Sequence, residues 1–279
     1  MRAMDTRAAA ARAADVIRQR SGREPQVGLI CGTGFGPCAD VLTDRVTISY
    51  ADLGFRPSAI PSHINEVDVG LLDGVVVAAV KGKSLPCDGA TWQEAGLPAR
   101  SLALAGCKSL LYSAHSGSMR PDMPPGSFLA FSDHLNFSGF NPLSTEREGN
   151  GWPTPFVSMA ELYDAELLAA VVPAVEAAGV RFPTGVAGYW MGPSFETPAE
   201  IRLAQLAGCS ISSNSFLPET MAGYHAGMRV VGFTYVSVWS AGIGAPIDME
   251  TILSMAEQSH RDFRTIVRAA IPVMARLTA

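Results

Sequence analysis

Apolar positions in this chain cluster into short, nearly continuous runs separated by polar or turn-forming residues, the signature of buried strands rather than of one long amphipathic repeat. Runs of strand length occupy residues 26–30 (QVGLI), 67–72 (VDVGLL), 75–80 (VVVAAV), 109–113 (SLLYS), 127–131 (SFLAF), 185–190 (GVAGYW) and 229–238 (RVVGFTYVSV). Each is bounded by Gly, Pro or Asp. Helical patterns lie between several of them. Residues 1–22 read as a surface helix stopped by Gly22. Residues 159–179 read as a helix that Pro173 is expected to kink or to end in its first part. The clearest boundaries fall at 197–208: Thr197 is the N-cap, Pro198 takes the first helical position, Glu200 closes a capping box and Gly208 is the stop. A further long helix is expected from near Asp248 toward the C-terminus.

Near-apolar strands alternating with helices predict an α/β fold, with a central mixed β-sheet flanked by helices. No internal repeat or low-complexity linker divides it, so residues 1–279 are expected to form a single domain. The segment from Phe137 to Phe156 is long for a connection, and loops of that length are commonly functional or lie at an interface.

Composition narrows the functional classes. The chain is 48% hydrophobic and 17% charged, ample for a core. Its 26 acidic and 21 basic residues give a net charge of -5, with no basic stripe, so nucleic acid is not an expected partner. Five cysteines (Cys31, Cys38, Cys87, Cys107, Cys209) form no C-x-x-C pair and no ligand spacing with histidine, which predicts reduced thiols and no metal. The Arg-rich N-terminus contains Asp5 and Asp15 and has no continuous apolar core, so no signal peptide is expected. No apolar stretch is long enough to span a bilayer, and a soluble cytoplasmic protein is expected.

In open α/β sheets ligands bind beyond the carboxyl ends of the strands, which directs attention to the segments following each run. The first is CGTGFGPC, residues 31–38. Its glycines permit positive φ and close backbone approach, so its amides suit an anion. The spacing matches neither a dinucleotide fingerprint nor a P-loop, and taken alone the segment reads as a plain strand-exit turn rather than an anion site. The other segments are KGKSLPCDG, SAHSGSMR, MGPSFETPAE and SVWSAG.

Taken together these segments resemble the trimeric purine nucleoside phosphorylase and methylthioadenosine phosphorylase family over nearly the whole chain. The most specific pieces are GPSFETPAE (192–200) and DHLNFSGFNPL (133–143), with PSH (61–63), the PE of NSFLPET (214–220) and SHRDF (259–263) in the same order around them. The resemblance implies a nucleoside phosphorylase-like fold and phosphorolysis of a purine nucleoside or of 5′-methylthioadenosine, giving the free base and (methylthio)ribose 1-phosphate. It implies inorganic phosphate as co-substrate, no cofactor, and a homotrimer.

Residue by residue, the resemblance places Thr33, Lys83, His115 and Ser215 at the phosphate and His63 with Glu196 in catalysis. It places Phe195 as the stacking aromatic, Glu196 also at the purine edge, Asn214 under the ribose, His260 near the sugar 5′ end, and Phe156 as an aromatic lent to a neighbouring subunit. Several positions depart from the pattern. Lys83 stands for an arginine and loses its bidentate fork. Leu85 stands for a histidine, Cys87 for a tyrosine and Asn214 for a methionine. Val238 falls where an asparagine or aspartate supports protonation at purine N7, and His115 falls where a backbone amide faces phosphate. His134 and His225 read as structural histidines. The polar-to-apolar changes keep a second function open, a binding protein on this fold whose apolar, aromatic pocket holds a small aromatic ligand with weak or no turnover.

Overall fold

Nine strands form one sheet whose two ends are built differently. The computed structural model describes residues 4–60, 62–144, 146, 151–244 and 249–279. The strands are β1 (Val27–Cys31), β2 (Thr43–Ser49), β3 (Glu66–Leu72), β4 (Val75–Lys81), β5 (Ser109–Ser118), β6 (Phe128–Asn136), β7 (Thr184–Tyr189), β8 (Cys209–Ser213) and β9 (Arg229–Trp239). The helices are α1 (Thr6–Ser21), α2 (Tyr50–Leu53), α3 (Trp92–Ala105), α4 (Ala165–Ala177), α5 (Pro198–Leu206), α6 (Leu217–His225), α7 (Met249–Gln258) and α8 (His260–Thr278).

The strand order is β2-β3-β4-β1-β5-β8-β7-β6-β9, and β9 also pairs with β5. One end of the sheet is therefore open, with β1 parallel to both β4 and β5. The other end closes on itself as a ring of β5, β8, β7, β6 and β9. Its longest seam is the parallel β5/β9 ladder from Ser109 opposite Arg229 to Ser118 opposite Trp239. Every residue of β1 is buried, as a strand covered on both faces requires. Helices α1, α3 and α6 pack together, as do α4 and α8. Helix α8 buries Phe263, Ile266, Val267, Ala270, Ile271 and Met274, a three-and-four spacing that places one apolar stripe against the sheet. The predicted mixed sheet with flanking helices is the observed architecture.

Details differ from the sequence expectation. Strands β2 and β8 carry no run of apolar residues. β2 is a mostly exposed edge, and β8 (CSISS) is buried but built largely of serine. Helix α4 starts only at Ala165, capped by Asp164, whose Oδ1 accepts from the Leu167 amide at 2.8 Å. It runs on through Pro173 rather than ending there, with Val171 and Val175 held in the core on either side. The C-terminal helix is two helices meeting at Ser259, and Asp248 lies outside the described residues. All five cysteines are free thiols. No helix among the described residues is long and apolar enough to cross a membrane.

Candidate active site

The closed end of the sheet creates the site. At Gly117 the β5 strand is flanked on one side by Ser212 of β8 and on the other by Val238 of β9. One residue of β9, Ser237, is extra in that register, a bulge that bends the strand end and re-aims its neighbours. A Cβ on Gly117 would fall 2.8 Å from the Ser240 Oγ and 3.1 Å from its backbone, so only glycine allows β5 and the chain after β9 to approach this closely. The three strand ends surround a cleft, about 390 Å³ with its solvent-filled mouth included, lined by His115, Ser116, Ser213, Asn214, Ser237 and Val238, with Phe195, Glu196 and Ile252 at its walls.

Glu196 and Phe195 reach the cleft because the chain after β7 is pinned immediately downstream. The Thr197 amide donates to Glu200 Oε2 at 2.7 Å and the Glu200 amide to Thr197 Oγ1 at 3.3 Å, the predicted capping box of α5. Phe195 remains 42% exposed, an aromatic face on the cleft wall rather than a core residue. Burial pushes the Glu196 carboxyl above its ordinary value, against the opposing pull of backbone and Ser212 hydrogen bonds. The facing walls, Val238 and Ile252, are apolar.

A second, polar cluster adjoins the cleft at His115. The Lys83 amide donates to His63 Nδ1 at 3.3 Å, so the ring proton sits on Nε2, which donates to Thr33 Oγ1 at 3.1 Å. That arrangement leaves the Thr33 O–H free to donate outward. His115 Nε2 donates to the Thr33 carbonyl, while the Ser213 hydroxyl donates to the His115 carbonyl at 2.6 Å and lies 3.4 Å from the Ser215 hydroxyl. Phe35 stacks on His115 with centroids 4.9 Å apart and holds its plane. Both imidazoles are held neutral: burial lowers each to about 4, assisted at His63 by the Lys83 charge. The glycine loop serves this cluster. Gly34 adopts φ +78°, and a Cβ on Gly32 would fall 2.8 Å from the Ser113 carbonyl oxygen, so the loop turns tightly against β5 and delivers Thr33.

Other predicted residues lie elsewhere. Lys83 is fully buried and turned inward, with its Nζ 3.3 Å from Glu219 Oε1 and donating to the Tyr112 hydroxyl and the Ser215 carbonyl. Its charge is met inside the protein rather than offered at the cleft, which corrects its assignment as a phosphate contact. Burial lowers the Lys83 ammonium and raises the Glu219 carboxyl, each opposed by the partner's charge. His260 does not line the cleft; its Nε2 donates to the Gly34 carbonyl at 2.9 Å, so it buttresses the glycine loop. Leu85 is buried, and Cys87 is half-buried beside Gly192 and Asn214. Phe156 is 89% exposed and outside the cleft of its own chain.

Residues that sequence reasoning did not single out are Ser116, Gly117, Ser212, Ser213, Ser237 and Ile252. The serine-rich SISSNS (210–215) was the available signal; Ile252 gave none, because it joins the cleft only through the placement of α7. No group of three or more His, Cys, Asp or Glu among the described residues is placed to hold a metal ion.

A family model described as the phosphorylase superfamily matches residues 26–272. Purine nucleoside phosphorylase 1 of Bacillus subtilis (strain 168) is 30% identical over 262 residues, covering 93% of this chain and 96% of that protein. The purine nucleoside phosphorylase of Bos taurus is 28% identical over 263 residues, 90% and 91% of the two chains. Among solved structures, isoform 2 of purine nucleoside phosphorylase from Schistosoma mansoni, in complex with cytosine and ribose-1-phosphate, matches with a TM-score of 0.88 at 25% identity over 97% of this chain and 96% of that one. Schistosoma mansoni purine nucleoside phosphorylase in complex with adenosine gives 0.86 at 26% identity, over 94% and 95%.

Proposed function

Because the chain belongs to the phosphorylase superfamily, among the purine nucleoside phosphorylases and hence the pentosyltransferases, we propose that it cleaves purine nucleosides with inorganic phosphate. The observation that carries this reading is the contact, through His115, between a hydroxyl-lined cradle and a half-apolar cleft holding one half-buried carboxylate. Phosphate sits in the cradle, met by the hydroxyls of Thr33 and Ser215, while His115, whose one ring proton is given to the Thr33 carbonyl, braces the loop rather than donating to the anion. The purine lies in the cleft, against Phe195 and edge-on to Glu196, with the ribose between them above Asn214. A phosphate oxygen forms the new bond to C1′ as the C1′–N9 bond breaks, and the bonding pair leaves with the base. Charge developing on that base is what the site must stabilise. Glu196, with its raised carboxyl, holds the base edge. His63 acts by fixing the Thr33 hydroxyl. No cofactor takes part; phosphate is the second substrate.

The chain assembles as a homotrimer in this reading, with Phe156 covering the sugar of a neighbouring copy. Five free thiols suit the reducing cytoplasm. The substrate is a purine ribonucleoside or its 5′-methylthio analogue. His260, committed to the Gly34 carbonyl, provides no imidazole at the sugar 5′ end to favour a hydroxyl there.

One observation favours a second reading, a weak or inactive enzyme that binds an aromatic ligand. Lys83 is neutralised by Glu219, and both cradle histidines are neutral, so these groups bring no net positive charge to a phosphate dianion. A panel of inosine, guanosine, adenosine and methylthioadenosine, each with phosphate, separates the readings by chromatography of the free base. Phosphate-dependent release supports the phosphorylase and names its preferred 5′ group. Nucleoside binding without release by folded protein supports the binder.

A further inference from the structure

A buried polar network lies beneath the segment that carries Phe156. Arg100 of α3, 2% exposed, pairs with Glu146 at 3.0 Å, donates from Nη1 to His225 Nδ1 at 3.2 Å, and stacks over the Trp152 ring at 4.6 Å. The Thr6 hydroxyl of α1 donates to Glu146 Oε2 at 3.0 Å and accepts from Trp152 Nε1 at 3.0 Å. Arginine only donates, so His225 Nδ1 is the acceptor and its proton sits on Nε2. That proton is directed at the carbonyls of Pro153 and Thr154, 3.1 and 3.2 Å away.

Burying an ion pair of this kind is a poor source of stability compared with apolar packing, and none of these residues lines the cleft. What the network does fix is a backbone. The two carbonyls it grips immediately precede Pro155 and Phe156, and both prolines in Pro153-Thr154-Pro155 have locked φ. Phe156 itself is 89% exposed, so its direction is set by the backbone behind it rather than by packing of its ring.

We propose that Arg100 and His225, completed by Glu146, Thr6 and Trp152, are positioning residues that aim Phe156. This inference rests on the reading that Phe156 covers the sugar of a neighbouring copy. Removing the imidazole withdraws its hydrogen bonds from the two carbonyls and loosens the hold on a stiff segment at its base, which weakens nucleoside binding without touching the phosphate cradle.

A double-mutant cycle on the assembled enzyme tests it, with nucleoside KM, phosphate KM, kcat and the melting temperature all measured. Phe156→Ala is expected to raise nucleoside KM by roughly 10-fold, the loss of one aromatic contact worth about 1.4 kcal/mol. His225→Leu is expected to raise it by several-fold at unchanged phosphate KM. His225→Gln, whose amide both accepts from Arg100 and donates to the carbonyls, restores it. The double variant Phe156→Ala/His225→Leu then matches Phe156→Ala alone. Trp152→Phe, which keeps the ring but drops its N–H, supplies a second cycle with the same expected pattern should His225→Leu not fold. An additive double variant, or no recovery with His225→Gln, overturns the positioning role while leaving Phe156 in place. An unchanged nucleoside KM in Phe156→Ala, in a protein that still turns over, overturns the reading of Phe156 and the network's role with it.

Discussion

The cradle around Thr33 and the cleft beside Val238 share one edge of the sheet and are organised by opposite means. In the cradle Thr33, His63, His115, Ser213 and Ser215 are tied to one another or to neighbouring backbone, and a fully buried Lys83–Glu219 pair lies behind them. In the cleft, shape does the organising: Phe195, Val238 and Ile252 give apolar walls, and Glu196 is the one carboxylate among the described lining residues. A hydrogen-bonded cluster is rigid and intolerant, because each loss strands a partner. An apolar wall tolerates exchange of similar volume. The departures from the family pattern at Val238 and Lys83 mark this division. Val238 stands in the apolar wall of the cleft, whereas Lys83 is turned into the support behind the cradle.

Four tests probe that contrast, from the largest effect to the smallest. Glu196→Ala removes the cleft's carboxylate and is expected to lower kcat/KM by about 10² to 10⁴ with little change in melting temperature, since the residue stands at an open wall. Equal activity in this variant, checked by base release, would remove Glu196 from the chemistry. Glu219→Ala does the reverse. It leaves the Lys83 ammonium buried and unpaired and is expected to cost about 3 to 5 kcal/mol in urea unfolding. The paired exchange Lys83→Met with Glu219→Leu is expected to recover most of that loss.

Acid distinguishes the regions next. His63 lies near 6.5 when unfolded and at about 4 when folded, so the unfolded chain binds more protons between those values. The stability this histidine allows is fully present above about pH 6.5 and falls as pH drops toward 4, by roughly 3 kcal/mol at most. His115 acts in the same direction. Urea midpoints across this window in wild type and His63→Gln check it; parallel curves would contradict a neutral, buried His63. Smallest is Val238→Asn, which restores a hydrogen-bonding side chain to the cleft wall and is expected to raise kcat/KM for a 6-oxopurine nucleoside about tenfold, the value of one well-made hydrogen bond. No gain would mean that position 238 does not face the base.

Much of the fold was legible because its signals are local. The Thr197-Pro198-Glu200 sequence dictates a helix start wherever it occurs, and β1, β4 and β9 announce themselves as apolar runs. Strand β8 was not legible: its serines are strand residues because β5 and β7 pair with them from either side. In the site, Glu196, Phe195, Asn214, His115 and Val238 line one cleft and Thr33 adjoins it through His115; Asn214, at the end of a strand the sequence did not reveal, had been named by the family resemblance alone. Lys83 and His260 did not, because residue type says nothing of direction. A lysine one residue beyond a glycine with φ +107° turns inward to Glu219, and a histidine opening α8 meets the glycine loop instead of the cleft.

The most direct test follows phosphorus. Purified protein with inosine and inorganic phosphate, observed by phosphorus NMR, is expected to convert phosphate into ribose 1-phosphate in step with released hypoxanthine, and Thr33→Val is expected to slow that conversion by about 10². A folded protein that binds the nucleoside yet forms no ribose 1-phosphate would contradict the phosphorylase reading.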